Sequence, residues 1–157
     1  MGLTPCSVGG PIANLERFKT VADRNLNDLH PIVEAKARQA LVECKIRGID
    51  VLVTCTLRTG EEQNQLYAQG RTEPGRVVTN ARAGQSMHQY GCALDVYPVI
   101  AGKPDFTGTR PEWHVIAGIF KSLGFEWGYD WPRFKEMPHF QFTGGHPLSY
   151  FEAGGKL

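Results

Sequence analysis

Hydrophobic and polar positions alternate along this chain with a period that changes from segment to segment. After Asn25-Leu26-Asn27-Asp28-Leu29-His30-Pro31, the residues Val33, Ala37, Ala40, Leu41 and Cys44 recur at three- and four-residue steps. That is one apolar stripe of an amphipathic helix, with Pro31 in its first turn and Gly48 just past its end. Ile49 to Thr56 is β-branched and apolar, so it predicts a buried strand. Gly60 to Gln69 predicts a second helix, with Glu61 and Glu62 in its first turn and Gly70 as its stop. From Arg71 to Gln85 the period vanishes, and an excursion of that length without structure of its own usually serves binding. Beyond it, Leu94 to Ile100 predicts a strand, Pro111 to Leu123 a helix ended by Gly124, and Phe140 to Phe142 the end of another strand. Helices and strands are too irregularly interleaved for a doubly wound sheet. The expected fold is α+β, a small, mostly antiparallel sheet with helices packed on it.

Composition narrows the function classes. At 157 residues one compact domain is the default, since domains typically run roughly 100 to 200 residues. The expected organisation is a single domain over residues 1–157, with a lead-in over 1–13 and a C-terminal tail over 143–157. A formal net charge of +1 is too neutral for a protein whose affinity comes from neutralising nucleic-acid phosphates. With 41% hydrophobic residues the chain is too apolar for a disordered tail, and no apolar run reaches the about 18 residues a membrane span needs. Glycine (18) and proline (10) are abundant, so much of the domain should be loop, where function often sits. The basic group Arg71, Arg76 and Arg82 is the one local departure from neutrality.

Met1 to Pro11 has neither a basic nor an apolar signal region, so no export signal is expected, despite a faint lipobox likeness in Leu3-Thr4-Pro5-Cys6. Cys6, Cys44, Cys55 and Cys92 are spaced 38, 11 and 37 positions apart, which fits neither a CxxC redox pair nor a zinc cluster. They read as buried free thiols, with a Cys55 to Cys92 disulfide as the alternative.

The densest polar cluster is Ser86-Met87-His88-Gln89-Tyr90-Gly91-Cys92-Ala93-Leu94-Asp95. A tight turn at Gly91 can bring the loop-borne imidazole of His88 and the strand-borne carboxylate of Asp95 onto one centre. A second cluster, Glu136-Met137-Pro138-His139-Phe140, sets a carboxylate three residues before a histidine, and Pro138 interrupts the ladder so that both can face one cavity. Two histidines, an aspartate and a spare glutamate are what a hydrolytic zinc site requires: three ligands, an open position for water, and a base. Each pair by itself reads more readily as a local hydrogen bond than as a ligand pair, and HExxH is absent.

The string Ser86-x-His88-x-x-Gly91-x-Ala93-x-Asp95, followed by Glu136-x-x-His139, resembles the zinc peptidases grouped with D-Ala-D-Ala metallopeptidases, lysostaphin-type enzymes and hedgehog. Within that group it is most similar to the L-alanyl-D-glutamate endopeptidases found as phage endolysins. Arg58-Thr59, Glu62-Gln63-Asn64-x-Leu66-Tyr67-Ala68-Gln69-Gly70-Arg71-Thr72-x-Pro74-Gly75, Val78-Thr79-Asn80-Ala81, Gly84-Gln85-Ser86 and Pro138-His139-Phe140-Gln141 support it, so that the likeness runs from about Leu26 to Phe142. The resemblance implies a hedgehog/DD-peptidase-like fold, Zn2+ as cofactor, His88, Asp95 and His139 as its ligands, and Glu136 as general base. It also implies that Arg58 and Ser86 position a D-Glu carboxylate and the peptide, with Gln63 and Gln85 as further substrate-binding candidates. Trp127, Tyr129 and Trp131 are candidates for the cleft wall, with core packing the alternative for the tryptophans. His30, His114 and His146 match no ligand position.

The implied activity is hydrolysis of the bond between L-Ala and D-Glu in peptidoglycan stem peptides by a monomeric lytic enzyme. Such an enzyme would have no nucleic-acid partner, membrane anchor or separate wall-binding domain. It would be made in the bacterial cytoplasm without a signal peptide and would act on the wall after release during phage lysis. Two alternatives are a D,D- or L,D-carboxypeptidase of the same fold and a noncatalytic zinc-containing wall-binding module. Glu136 and Pro138 favour the endopeptidase.

Overall fold

A computed structural model of the chain describes residues 24–157. The expectations placed on residues 1–13, the absent export signal and Cys6 lie outside these residues. Helix α1 (Pro31–Ile46) is followed by strand β1 (Asp50–Cys55), helix α2 (Gly60–Ala68) and the long excursion. After it come a 3-10 turn (Met87–Tyr90), strands β2 (Ala93–Ile100) and β3 (Lys103–Pro104), and helix α3 (Glu112–Ser122). Strands β4 (Glu126–Trp127) and β5 (His139–Gln141) and helix α4 (Leu148–Glu152) complete the order. The five strands form one sheet in the order β1-β2-β5-β4, with β3 pairing on β2, and every pairing is antiparallel. The α+β expectation therefore holds.

The apolar stripe of α1 buries Val33, Ala37, Ala40 and Cys44, and α3 buries Trp113, Ile116, Ala117, Ile119 and Phe120. These two faces meet Leu94, Val96 and Phe140 of the sheet in one core. Each large side chain fully buried there contributes about 1.5–3 kcal/mol relative to exposure. α2 starts on a reciprocal cap, the Thr59 hydroxyl accepting from the Glu62 backbone N–H and the Glu62 carboxylate from the Thr59 N–H. Among the described residues no helix is long and apolar enough to cross a membrane.

Two expectations are corrected. The stretch 143–157 is more than a tail: α4 seats Phe151 against Met87, Cys92 and Ala93, and so packs beneath the turn that carries His88. Five helical residues are too few to show a period in sequence. The alternative disulfide is absent, for Cys44, Cys55 and Cys92 are free and buried.

Gly91 is the hinge between the 3-10 turn and β2. It stands at φ +65°, and a Cβ there would lie 2.8 Å from the backbone nitrogen of His30, whose N–H donates to the Gly91 carbonyl. Only glycine meets both demands. Gly91→Ala should therefore cost about 2–3 kcal/mol and lower the Tm by roughly 5–10 °C in thermal unfolding followed by circular dichroism. An unchanged Tm would show that the turn does not need this conformation.

Candidate metal centre

Asp95 lies in the middle of the sheet. Its cross-strand partner on β1 is Cys55 and on β5 is His139, so three chemically active side chains stand in a row across three strands. The row depends on a register shift between Val53 and Cys55, which leaves Thr54 as the extra residue. Unshifted pairing would put Thr54 opposite Asp95, and the bulge re-aims the strand by one residue. His88 arrives from the 3-10 turn, which is tied to the segment after β1 by the Arg58 N–H donating to the His88 carbonyl at 3.2 Å.

His88, Asp95 and His139 are all buried. His88 Nε2 is 3.2 Å and His139 Nδ1 3.3 Å from the same oxygen, Asp95 Oδ1. The far side of each ring fixes what the near side offers. His88 Nδ1 lies 2.7 Å from the Thr56 carbonyl oxygen, which can only accept, so the ring proton stays there. The Gln141 amide nitrogen donates to Glu126, which turns the amide oxygen toward His139 Nε2 at 3.1 Å and holds that ring's proton in place. In the neutral rings, then, two nitrogen lone pairs and a carboxylate oxygen converge. Three acceptors facing one another need a cation between them, a proton or a metal ion. The donor set of two imidazoles and a carboxylate, each imidazole backed by an acceptor, suits zinc in a site with an open position.

The charges agree with this geometry. Burial alone would lower the pKa of His88, but the negative charge available on Cys55 and Asp95 outweighs it and holds the ring above the ordinary histidine value. Burial also raises the Cys55 thiol, against the pull of His88. Asp95 is pulled well below the usual carboxylate range, as the charge on His88 and hydrogen bonds from both histidines overcome its burial. Glu136 sits in a recess with Oε2 3.7 Å from His139 Nδ1, and its burial raises its pKa against the opposing pull of His139.

Cys55, His88 and Asp95 also lie close enough to one another to form a metal-binding group. The Cys55 sulfur, however, is 3.7 Å from Nδ1, the nitrogen committed to Thr56, and accepts from Arg58 Nη2 at 3.2 Å. It stands behind the imidazole rather than at the converging lone pairs. Its position opposite Asp95 depends on the bulge.

The backbone fixes Glu136 as well. Its N–H donates to the Gly128 carbonyl, the Trp127 indole donates to the Met137 carbonyl at 2.7 Å, and the Val96 N–H to the Pro138 carbonyl. β5 begins only after Pro138, which is why Glu136 and His139 share a cavity instead of opposite faces of a strand. Trp127 is core, while Trp131 lines the cleft. The cleft holds about 470 Å³, with the metal-ligand candidates in its floor.

Arg58 lies beyond the end of β1 rather than on it. Its guanidinium, 9% exposed, sits 3.9 Å from Asp95 Oδ2 and donates to Gln63 Oε1 at 2.7 Å. Burial lowers its pKa, opposed by Asp95 and Glu136, yet an arginine stays charged. Gln63, a substrate-contact candidate, is wholly buried, with its oxygen on Arg58 and its nitrogen on the Ala81 carbonyl, so it holds the arginine and the loop in place. Ser86 and Gln85 line the cleft, Gln85 also accepting from the Arg82 N–H. His30, His114 and His146 stay outside it, His114 against Trp127 and His146 stacked on Tyr150.

A family model described as D-alanyl-D-alanine carboxypeptidase matches residues 79–142. The chain is 42% identical over 123 residues to the peptidoglycan L-alanyl-D-glutamate endopeptidase CwlK of Bacillus subtilis (strain 168), covering 73% of this chain and 74% of that protein. It is 34% identical over 123 residues to the L-alanyl-D-glutamate peptidase of Listeria phage A118, covering 76% of this chain and 40% of the phage protein. The fold matches the crystal structure of the Serratia marcescens L-Ala D-Glu endopeptidase ChiX with a TM-score of 0.58 at 25% identity, over 80% of this chain and 89% of that one.

A metal ion entering this centre must displace the proton held between His88 and Asp95. Zinc uptake by the metal-free protein at neutral pH should therefore release protons and tighten as pH rises, because a raised histidine pKa means a site still protonated near pH 7. Titration calorimetry in buffers of different ionisation enthalpy reads this directly. A buffer-independent heat would contradict it.

Proposed function

The chain belongs to the metallopeptidase family of the D-alanyl-D-alanine carboxypeptidases and peptidoglycan L-alanyl-D-glutamate endopeptidases, and we propose that it hydrolyses the bond between L-Ala and D-Glu in peptidoglycan stem peptides. The observation that carries the reading is the convergence of His88 Nε2 and His139 Nδ1 on one Asp95 oxygen, with a carboxylate of raised pKa beside them. The relatives named above supply the choice of bond.

In this reading His88, Asp95 and His139 hold Zn2+. A zinc ion so held lowers the pKa of a bound water to about 7 and polarises the scissile carbonyl. Glu136 is the base that takes the proton of the attacking water. Its raised pKa lets it keep that proton long enough to pass it to the departing amine of D-Glu, so one carboxyl serves as base and then as acid. Arg58, fixed by Gln63 and Cys55, presents its planar guanidinium to the D-Glu carboxylate. Ser86 and Gln85, at the cleft wall, orient the peptide backbone. The resemblance to a phage peptidase supports a wall-acting, lytic role.

Digestion of purified cell wall with the zinc-loaded protein, followed by mass spectrometry, should reveal new D-Glu N-termini. Release of D-Ala instead would make the protein a carboxypeptidase, and no hydrolysis at all would favour a wall-binding module. Glu136→Gln should lower kcat by about 10²–10⁴ with zinc content unchanged. A variant of full activity would remove Glu136 from the chemistry. Arg58→Lys should keep zinc and fold but cost about tenfold or more in kcat/KM, since an ammonium cannot make the two parallel bonds. Unchanged kcat/KM would remove Arg58 from substrate binding.

A further inference from the structure

Two aromatic side chains on the wall of the cleft belong to neither apolar cluster of the protein. Trp131 is half-buried, its ring centroid 5.2 Å from that of His139 and tilted by 51°. Phe134 is 39% exposed and lines the same cleft. Its backbone stands at φ +46°, a conformation that only Ala101 shares among the described non-glycine residues. A bulky residue in that conformation is strained, and the side chain still leaves more than a third of its surface exposed. Core packing thus explains neither ring.

We propose that Trp131 and Phe134 form a platform for the muramyl sugar that precedes the stem peptide. The proposal rests on the L-Ala to D-Glu reading and deepens it. L-Ala is the first residue of the stem, joined through its nitrogen to the lactyl group of muramic acid. An enzyme that cuts just after it must place a sugar ring within about two residue lengths, roughly 7 Å, of the scissile carbonyl. A carboxypeptidase acting at the far end of the stem has no such neighbour. The orientation follows from the two ends of the cross-strand row. Arg58 lies against Cys55 and Asp95 Oδ2 at one end, and Trp131 lies against His139 at the other. With the D-Glu carboxylate on Arg58, the L-Ala end of the substrate runs toward Trp131. A pyranose ring has an apolar C–H face and polar edges, so a flat indole or phenyl covers the face while the hydroxyls and the acetamido group stay in water.

The experiment compares kcat/KM on two substrates that differ only in the sugar: N-acetylmuramyl-L-Ala-D-Glu stem peptide and D-lactyl-L-Ala-D-Glu stem peptide. The lactyl cap keeps the amide of the muramyl form and carries no free amine, so the ratio of the two values isolates the sugar. The wild-type protein should favour the muramyl form, and Trp131→Ala should reduce that ratio about tenfold. Phe134→Ala should reduce it in the same direction, and Trp131→Phe should retain most of it. A ratio near one in the wild type, or a ratio that neither alanine variant changes, would overturn the platform while leaving the endopeptidase intact. Failure of the wild-type protein to cut either substrate would overturn the endopeptidase reading and the platform with it.

Discussion

The Asp95 carboxylate is the constraint around which the other parts are arranged. An ionised carboxylate buried in the middle of a sheet costs several kcal/mol unless positive charge and hydrogen bonds surround it. Here one oxygen faces two imidazole nitrogens and the other faces a guanidinium. Each of those partners comes from a different element: His88 from the turn before β2, His139 from the start of β5, and Arg58 from the segment after β1. Satisfying one charge therefore fixes the relative placement of three pieces of chain. The bulge at Thr54 serves the same end, since it sets the register that puts β1 beside this residue.

The protein divides rigid from adaptable parts accordingly. The ligand candidates sit on strands, or on a turn hitched to the segment just after β1 by two hydrogen bonds, His88 Nδ1 to the Thr56 carbonyl and the Arg58 N–H to the His88 carbonyl. The wall toward substrate is built on the long excursion 71–86, which has no helix or strand but is far from loose. Arg71 bonds the carbonyls of Tyr67 and Thr79 and the Asn80 side chain, and it lies over the Tyr67 ring at 4.0 Å, with Arg82 at 4.7 Å. The basic cluster seen in the sequence is thus in large part internal scaffolding. Two of its three arginines are spent on holding the loop, which is consistent with a near-neutral protein that recognises a small peptide through a few placed groups.

Sequence made legible whatever depends on period or on fixed spacing. The stripe Val33, Ala37, Ala40 and Cys44 specifies α1 because a side chain at every third or fourth position meets the core. The spacing from His88 through Gly91 to Asp95 predicts convergence because the glycine turn is a local device. What stayed hidden depends on partners distant in the chain. Gln63 looks like any polar residue on a short helix, and only the fold shows its amide bridging Arg58 and Ala81. Cys55 enters the centre through a one-residue register shift that no alternation pattern records. β3 and β4 have two residues each, below any detectable period, and α4 declares itself only through Phe151 packing under the His88 turn.

The same economy extends to the protons. Thr56 and Gln141 are ordinary residues in sequence, yet each takes up the outward N–H of one histidine and thereby decides which nitrogen faces Asp95. Glu126 in turn sets Gln141, accepting both its amide and the Thr143 hydroxyl. Through these contacts the strands determine not only where the imidazoles lie but which nitrogen of each gives up its proton, so that the lone pairs freed on deprotonation face one centre. Glu136 is tuned by the opposite means. Burial works against its charge, no partner fully compensates, and its pKa rises. Two carboxylates in one cleft are thereby driven apart, one kept ionised between the two imidazoles and the other left able to take up and return a proton. That separation follows from where each carboxylate is anchored. Asp95 stands on a central strand between two histidines, whereas Glu136 stands on the loop just outside β5, with a single imidazole at a longer distance.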